Sequence, residues 1–133
     1  MPAPPRTVLL VDDSASVRQI LSYALQKAGF SICAEAGDGA EAIALARVHR
    51  PDLIILDLAM PVMNGLEAAP ELRSVLPNTP IILFTLYADV MLTRDAIAVG
   101  ITSILPKSDL TAVVNQATSF FNGTKLEQWR ELD

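Results

Sequence analysis

Val8-Leu9-Leu10-Val11-Asp12-Asp13-Ser14, with the pattern it opens into, decides the fold. Its first four residues are apolar without alternation. That is the mark of a strand covered on both faces, as in a parallel sheet flanked by helices. After Ser14 the period changes. Val17, Ile20, Leu21, Ala24, Leu25 and Ala28 stand at i, i+3, i+4, i+7, i+8 and i+11, the stripe of an amphipathic helix with Ser14 as N-cap and Gly29 just past its end.

The alternation continues outward. Leu53-Ile54-Ile55-Leu56 and Ile81-Ile82-Leu83-Phe84 read as further buried strands, and Ser31–Ala36 and Ile101–Leu105 as weaker ones. Between them the spacing predicts helices over Ala40–His49, stopped by Pro51, over Asp89–Val99, stopped by Gly100, and over Leu110–Phe121, capped by Ser108 or Asp109 and ended by Asn122-Gly123. A helix within Gly65–Leu76 meets Pro70, which has no N–H to donate, so a kink or a late start is expected there. Strands and helices in strict alternation predict an α/β fold, a doubly wound five-stranded parallel sheet flanked by five helices. One domain is expected at residues 6–121. Residues 122–133 form a tail in which Leu126, Trp129 and Leu132 suggest a short amphipathic helical turn.

With 133 residues, 51% of them hydrophobic, the chain can bury one sizeable core. A net charge of −5 argues against direct contact with nucleic acid or an anionic membrane. A single cysteine, Cys33, and a single histidine, His49, exclude a disulfide framework and a Cys/His zinc cage. No run is long and apolar enough to span a bilayer, and Met1–Arg6 lacks the apolar segment of a signal peptide, so a cytoplasmic location is expected.

In an open parallel sheet the working crevice lies at the carboxyl ends of the strands. At those ends stand Asp12 and Asp13, Asp57, Thr85 and Lys107. Carboxylates gathered together repel one another unless a cation intervenes, and oxygen donors without usable His or Cys select a hard ion, Mg2+ before Mn2+. Lys107 and Thr85 suit an incoming phosphoryl group. Asp57 is then the candidate nucleophile, since a carboxylate can attack phosphorus to form an acyl phosphate. Each residue alone has a plainer reading, as a turn or cap, as β-propensity or as surface charge. Their joint placement at successive strand ends favours the chemistry.

These residues resemble the receiver domains of bacterial two-component response regulators. The resemblance rests on Val8-Leu9-Leu10-Val11-Asp12-Asp13, on Leu56-Asp57-Leu58-Ala59-Met60-Pro61-Val62-Met63-Asn64-Gly65, on Phe84-Thr85 and on Pro106-Lys107. It implies strand order 2-1-3-4-5 and phosphorylation of Asp57 by a histidine kinase or phosphotransfer protein in a phosphorelay. It also implies Mg2+ held by Asp13, Asp57 and the carbonyl of Ala59, with Asp12 acting through water, and Thr85 and Lys107 on the phosphoryl oxygens. Five positions depart from the pattern, Ala59 and Tyr87 by being less polar than the residues many members carry. Ile104 stands where a switch aromatic is usual, Ser108 where a proline on a cis bond often follows the lysine, and Leu86 where a small residue is usual.

The expected function is a stand-alone signalling switch, not an enzyme beyond its own phosphotransfer and dephosphorylation. Its output would be protein contacts of the helix 4, strand 5 and helix 5 face, to a downstream partner or a phosphorylation-dependent homodimer. Val90, Met91, Leu92, Ala96, Ile97, Ile101 and Ile104 give that region more apolar positions than one buried stripe needs. The alternatives are a degenerate receiver acting as a phosphorylation-independent scaffold, suggested by Ile104 and Leu86, and a small Asp-nucleophile phosphatase. The latter wants an acid two residues after the nucleophile, where Ala59 stands.

Overall fold

Successive residues of each central strand go to opposite sides of the sheet and both sides are buried, which is why the runs do not alternate. Val8, Leu10, Leu53, Ile55, Ile82 and Phe84 pack on one face, and Leu9, Val11, Ile54, Leu56, Ile81 and Leu83 on the other. The structure, a computed structural model, describes residues 4–86 and 89–132, and the side chains of residues 90, 91 and 122–132 lie outside that description. The elements run β1 (Thr7–Val11), α1 (Ala15–Lys27), β2 (Ser31–Ala36), α2 (Gly39–His49), β3 (Leu53–Leu56), α3 (Gly65–Val75), β4 (Ile81–Thr85), α4 (Val90–Ala98), β5 (Ser103–Pro106) and α5 (Leu110–Leu132). The sheet is parallel with order β2-β1-β3-β4-β5. Leu21 and Leu25 of α1 and Val113 and Ala117 of α5 cover one face, and buried residues of α2, α3 and α4 cover the other. The expected α/β architecture is the observed one.

Helix starts follow local chemistry. Ser14 caps α1 by accepting from the Val17 N–H, Asp38 caps α2, Asp89 caps α4, and Asp109, rather than Ser108, accepts from the Ala112 N–H at the start of α5. α3 starts at Gly65 and runs through Pro70, so the late start expected there does not occur. A capping box explains this: Asn64 accepts from the Glu67 N–H while Glu67 accepts from the Asn64 N–H, satisfying donors at the helix start. Ala68, Ala69 and Leu72 then bury the core face on both sides of Pro70.

Two other boundaries differ from expectation. β5 begins at Ser103, and Ile101 instead completes the end of α4. Gly100 has φ +96° and its N–H donates to Ile97, while the Ile101 N–H donates to Ala96. This Schellman motif carries the buried Ile101 side chain into the core. Gly29 and Phe30 end α1 in the same way, through Gln26 and Leu25. At the other boundary, α5 continues past Asn122-Gly123 to Leu132. A helical Gly costs only about 1 kcal/mol, and the residues after it are mostly good helix formers. The amphipathic character expected from Leu126, Trp129 and Leu132 concerns side chains outside the described residues.

The sheet end remote from the carboxylates is tied together by Arg73. Its guanidinium donates to the carbonyls of Leu76, Pro77 and Thr79 at 3.1, 3.0 and 2.6 Å and to Gly100 at 2.7 Å. The α3–β4 and α4–β5 connections are thereby joined by one side chain. Arg73→Ala is expected to cost about 2–3 kcal/mol in urea unfolding, since charge-assisted bonds to partly buried carbonyls are lost together. An unchanged midpoint would show that water replaces them without loss.

Candidate functional site

Backbone pairing delivers the site residues to one edge. The Asp57 N–H donates to Val11 at 2.8 Å as β3 leaves the sheet, the Asp12 N–H donates to Ala36 at 3.0 Å, and the Lys107 N–H donates to Thr85 at 2.9 Å. β1, β3, β4 and β5 therefore release their next residues at a common level. Lys107 Nζ lies 2.9 Å from Asp12 Oδ2 and 3.2 Å from Asp57 Oδ1. Asp12 and Asp57 are buried, at 2% and 4% exposure, and Thr85 is buried with them. Asp13 and Ala59 are exposed at the rim. Asp13, Asp57, Ala59, Thr85, Leu86 and Lys107 line a cleft of about 190 Å³. All six residues named from the sequence, Asp12 included, thus come together here.

The electrostatics are those of a site short of positive charge. Burial, then the charge of Asp12, raises the Asp57 carboxyl above its ordinary value, although Lys107 opposes the shift. For Lys107, burial works against the ammonium, but the bonds to Asp12 and Asp57 outweigh it and leave the group raised. One lysine is shared between two buried carboxylates, and a third, Asp13, stands close by. One oxygen from each of Asp12, Asp13 and Asp57 lies within 4.8 Å of the others. An all-oxygen set with this excess negative charge fits a hard divalent cation such as Mg2+.

Three features of the site were not visible as such in the sequence. Arg18 of α1 donates from Nη1 to the Asp12 carbonyl at 2.6 Å, and nothing in the sequence marks which side chain will bond a given carbonyl. Gly65 packs its Cα against the Asp57–Leu58 backbone, and its N–H donates to the Leu58 carbonyl at 2.8 Å. Val62 has φ +67°, with the Met63 N–H donating to Pro61 across it at 2.7 Å, a γ-turn in the loop after Asp57. The Lys107–Ser108 bond is trans, and no cis peptide occurs among the described residues.

Comparison with known proteins agrees with this geometry. The family model described as "Response regulator receiver domain" matches residues 8–117. The chain belongs to that family. Its relatives include the transcriptional regulatory protein PdtaR of Mycobacterium tuberculosis, 39% identical over 123 residues that cover 90% of this chain and 60% of PdtaR. The chain thus spans about 60% of the length of that relative. The chemotaxis protein CheY of Thermotoga maritima is 33% identical over 102 residues, covering 77% of this chain and 85% of CheY. Among solved structures, Vibrio cholerae CheY4 superposes with a TM-score of 0.80 at 37% identity, covering 86% of this chain and 98% of that one. The CheY chain of a CheX–CheY–BeF3–Mg2+ complex from Borrelia burgdorferi gives 0.82 at 29% identity, covering 88% and 90%. As a receiver domain, the chain belongs to phosphorylation-dependent two-component signalling. No helix among the described residues is long and apolar enough to cross a membrane.

Proposed function

We propose that Asp57 accepts a phosphoryl group from a histidine kinase or histidine phosphotransfer protein. The observation that carries this reading is Lys107 bridging Asp12 and Asp57 inside a cleft that Asp13, Ala59 and Thr85 complete. A carboxylate oxygen of Asp57 attacks phosphorus while the phosphorus–nitrogen bond of the donor's phosphohistidine breaks. The electron pair of that bond leaves with the imidazole, and an acyl phosphate remains on Asp57. Lys107, in contact with Asp57 Oδ1, is placed to neutralise the phosphoryl oxygens, and Thr85 offers a hydroxyl from the floor.

Asp13, Asp57 and the Ala59 carbonyl would hold Mg2+, with Asp12 acting through water. When bound, the ion supplies further positive charge against the developing phosphate. Calorimetry should therefore show weak Mg2+ binding to the wild type and an almost complete loss of its heat in Asp13→Ala. Equal heats in the two proteins would remove Asp13 from the site. Ala59 supplies no acid or base at the position a phosphatase needs, which favours the switch.

In this reading residues 6–121 form the switch and 122–133 a tail, in a cytoplasmic protein whose output is a protein contact of the α4–β5–α5 face. That face is narrower than the apolar count implies. Ala96 and Ile101 are buried, Leu92 and Ile104 pack partly against the core, and Ile97 is 63% exposed. The side chains of Val90 and Met91 lie outside the described residues. Light scattering with and without a beryllium fluoride phosphoryl mimic tests the proposed homodimer. An unchanged particle size at high concentration removes self-association from the output.

A further inference from the structure

The loop that carries Asp13 is held from outside the cleft. The Asp12 side chain bonds inward, Oδ1 accepting from the Ser14 N–H at 2.8 Å and Oδ2 meeting Lys107 Nζ at 2.9 Å. The Asp12 main-chain carbonyl takes Arg18 Nη1 at 2.6 Å, and Arg18 Nε meets Glu35 Oε1 at 3.0 Å. Asp13 differs from its neighbour: it is exposed, and its carboxylate accepts no hydrogen bond among the described residues. Its position therefore depends on its two flanking peptides, the one to Ser14 held by Asp12 Oδ1 and the one to Asp12 held at its carbonyl. Among the described residues, Arg18 is the side chain that bonds that peptide's carbonyl.

We infer that Arg18 is a positioning residue for the metal site: its guanidinium, braced by Glu35 on β2, fixes the Asp12–Asp13 peptide and so aims the Asp13 carboxylate into the cleft. The inference rests on the proposed Mg2+ site and adds a residue outside it. A guanidinium suits this task because its planar fork bonds two partners at once, here a carbonyl of the β1–α1 turn and a carboxylate of the neighbouring strand. Residues that orient metal ligands without touching the ion commonly change affinity by tenfold or more when removed. The opposite mechanism, in which Arg18 acts through its charge alone, makes the opposite prediction. Removing a nearby cation would then tighten Mg2+ binding.

The test is calorimetric titration of the whole chain with Mg2+ alone, on the wild type, Arg18→Met, Arg18→Lys and Glu35→Gln. Alongside it, thermal unfolding and hydrogen exchange at the Ser14 amide are measured without metal. Positioning predicts an affinity weakened by about tenfold in Arg18→Met, faster Ser14 exchange, and a loss of about twofold or less in Glu35→Gln, which keeps an acceptor. Arg18→Lys, which keeps the charge but lacks the fork, should fall between wild type and Arg18→Met. If Arg18→Met does not fold, the lysine variant decides, and wild-type affinity there overturns the inference. Unchanged or tighter binding in a folded Arg18→Met overturns it while leaving the Mg2+ site intact. Absence of Mg2+ binding by the wild type overturns the site reading, and this inference with it.

Discussion

Asp57→Asn protein incubated with acetyl phosphate and Mg2+ is expected to gain no phosphoryl group by mass spectrometry, whereas the wild type is modified. The amide nearly matches the carboxylate in shape but lacks a nucleophilic oxyanion. The rate should therefore fall on the order of a thousandfold or more. Neither neighbour is placed to substitute. Asp12 spends its oxygens on Ser14 and Lys107, and Asp13 stands at the rim. Full-yield modification of Asp12 or Asp13 in the variant would transfer the acceptor role away from Asp57.

The same substitution should stabilise the metal-free fold at neutral pH. A carboxyl whose pKa is raised in the folded state contributes stability below its unfolded value, near 3.8, and loses that contribution as the pH rises through the folded value. Asparagine holds the uncharged condition at every pH, and Lys107 keeps Asp12 as its partner. A thermal midpoint higher by roughly 3–6 °C at pH 7 is expected, the shift that about 1 kcal/mol makes in a domain of this size. Below the ordinary carboxyl range the gain should vanish. A variant less stable than wild type at pH 7 without metal would show that the Lys107 contact outweighs burial and the repulsion from Asp12.

Much of this site was legible in the sequence because each of its polar groups ends an apolar strand. β1, β3 and β4 lie inside the sheet with helices packed over both faces, so their apolar runs are continuous. The strand residues cannot slip without exposing that surface, and this fixes where Asp12, Asp57 and Thr85 emerge. Other features lay in interactions that no single residue type announces. Pro70 reads as a helix breaker, yet the Asn64–Glu67 capping box starts α3 ahead of it. Ile101 reads as strand, yet Gly100 in the left-handed region turns it into the anchor of the α4 end. The grip of Arg18 on the Asp12 carbonyl is a side-chain contact with main chain, which a periodicity argument does not reach.

Gly65 is the position where fold and site constrain each other most tightly, and Gly65→Ala is expected to damage both. A Cβ there would collide with the Asp57 carbonyl oxygen and stand 3.2 Å from both the Asp57 carbonyl carbon and the Leu58 Cα, all of them backbone atoms. No side chain can rotate away to make room. Asp57 is pinned to Val11 through its N–H, so relief comes from lifting the start of α3 and losing the bond from the Gly65 N–H to the Leu58 carbonyl. Overpacking of this kind costs about 1–3 kcal/mol. The displaced segment includes Ala59, whose carbonyl is a proposed Mg2+ ligand, so metal affinity should fall together with stability. Gly37→Ala is the matched control. A Cβ at Gly37 meets nothing within 4 Å, and its unfolding midpoint and Mg2+ affinity should stay near wild type. Urea unfolding and Mg2+ calorimetry on both variants test the coupling. If Gly65→Ala binds Mg2+ as the wild type does while losing stability, the close approach of α3 to β3 serves the fold alone. If it loses neither, the loop after Asp57 yields more readily than its backbone bonds indicate.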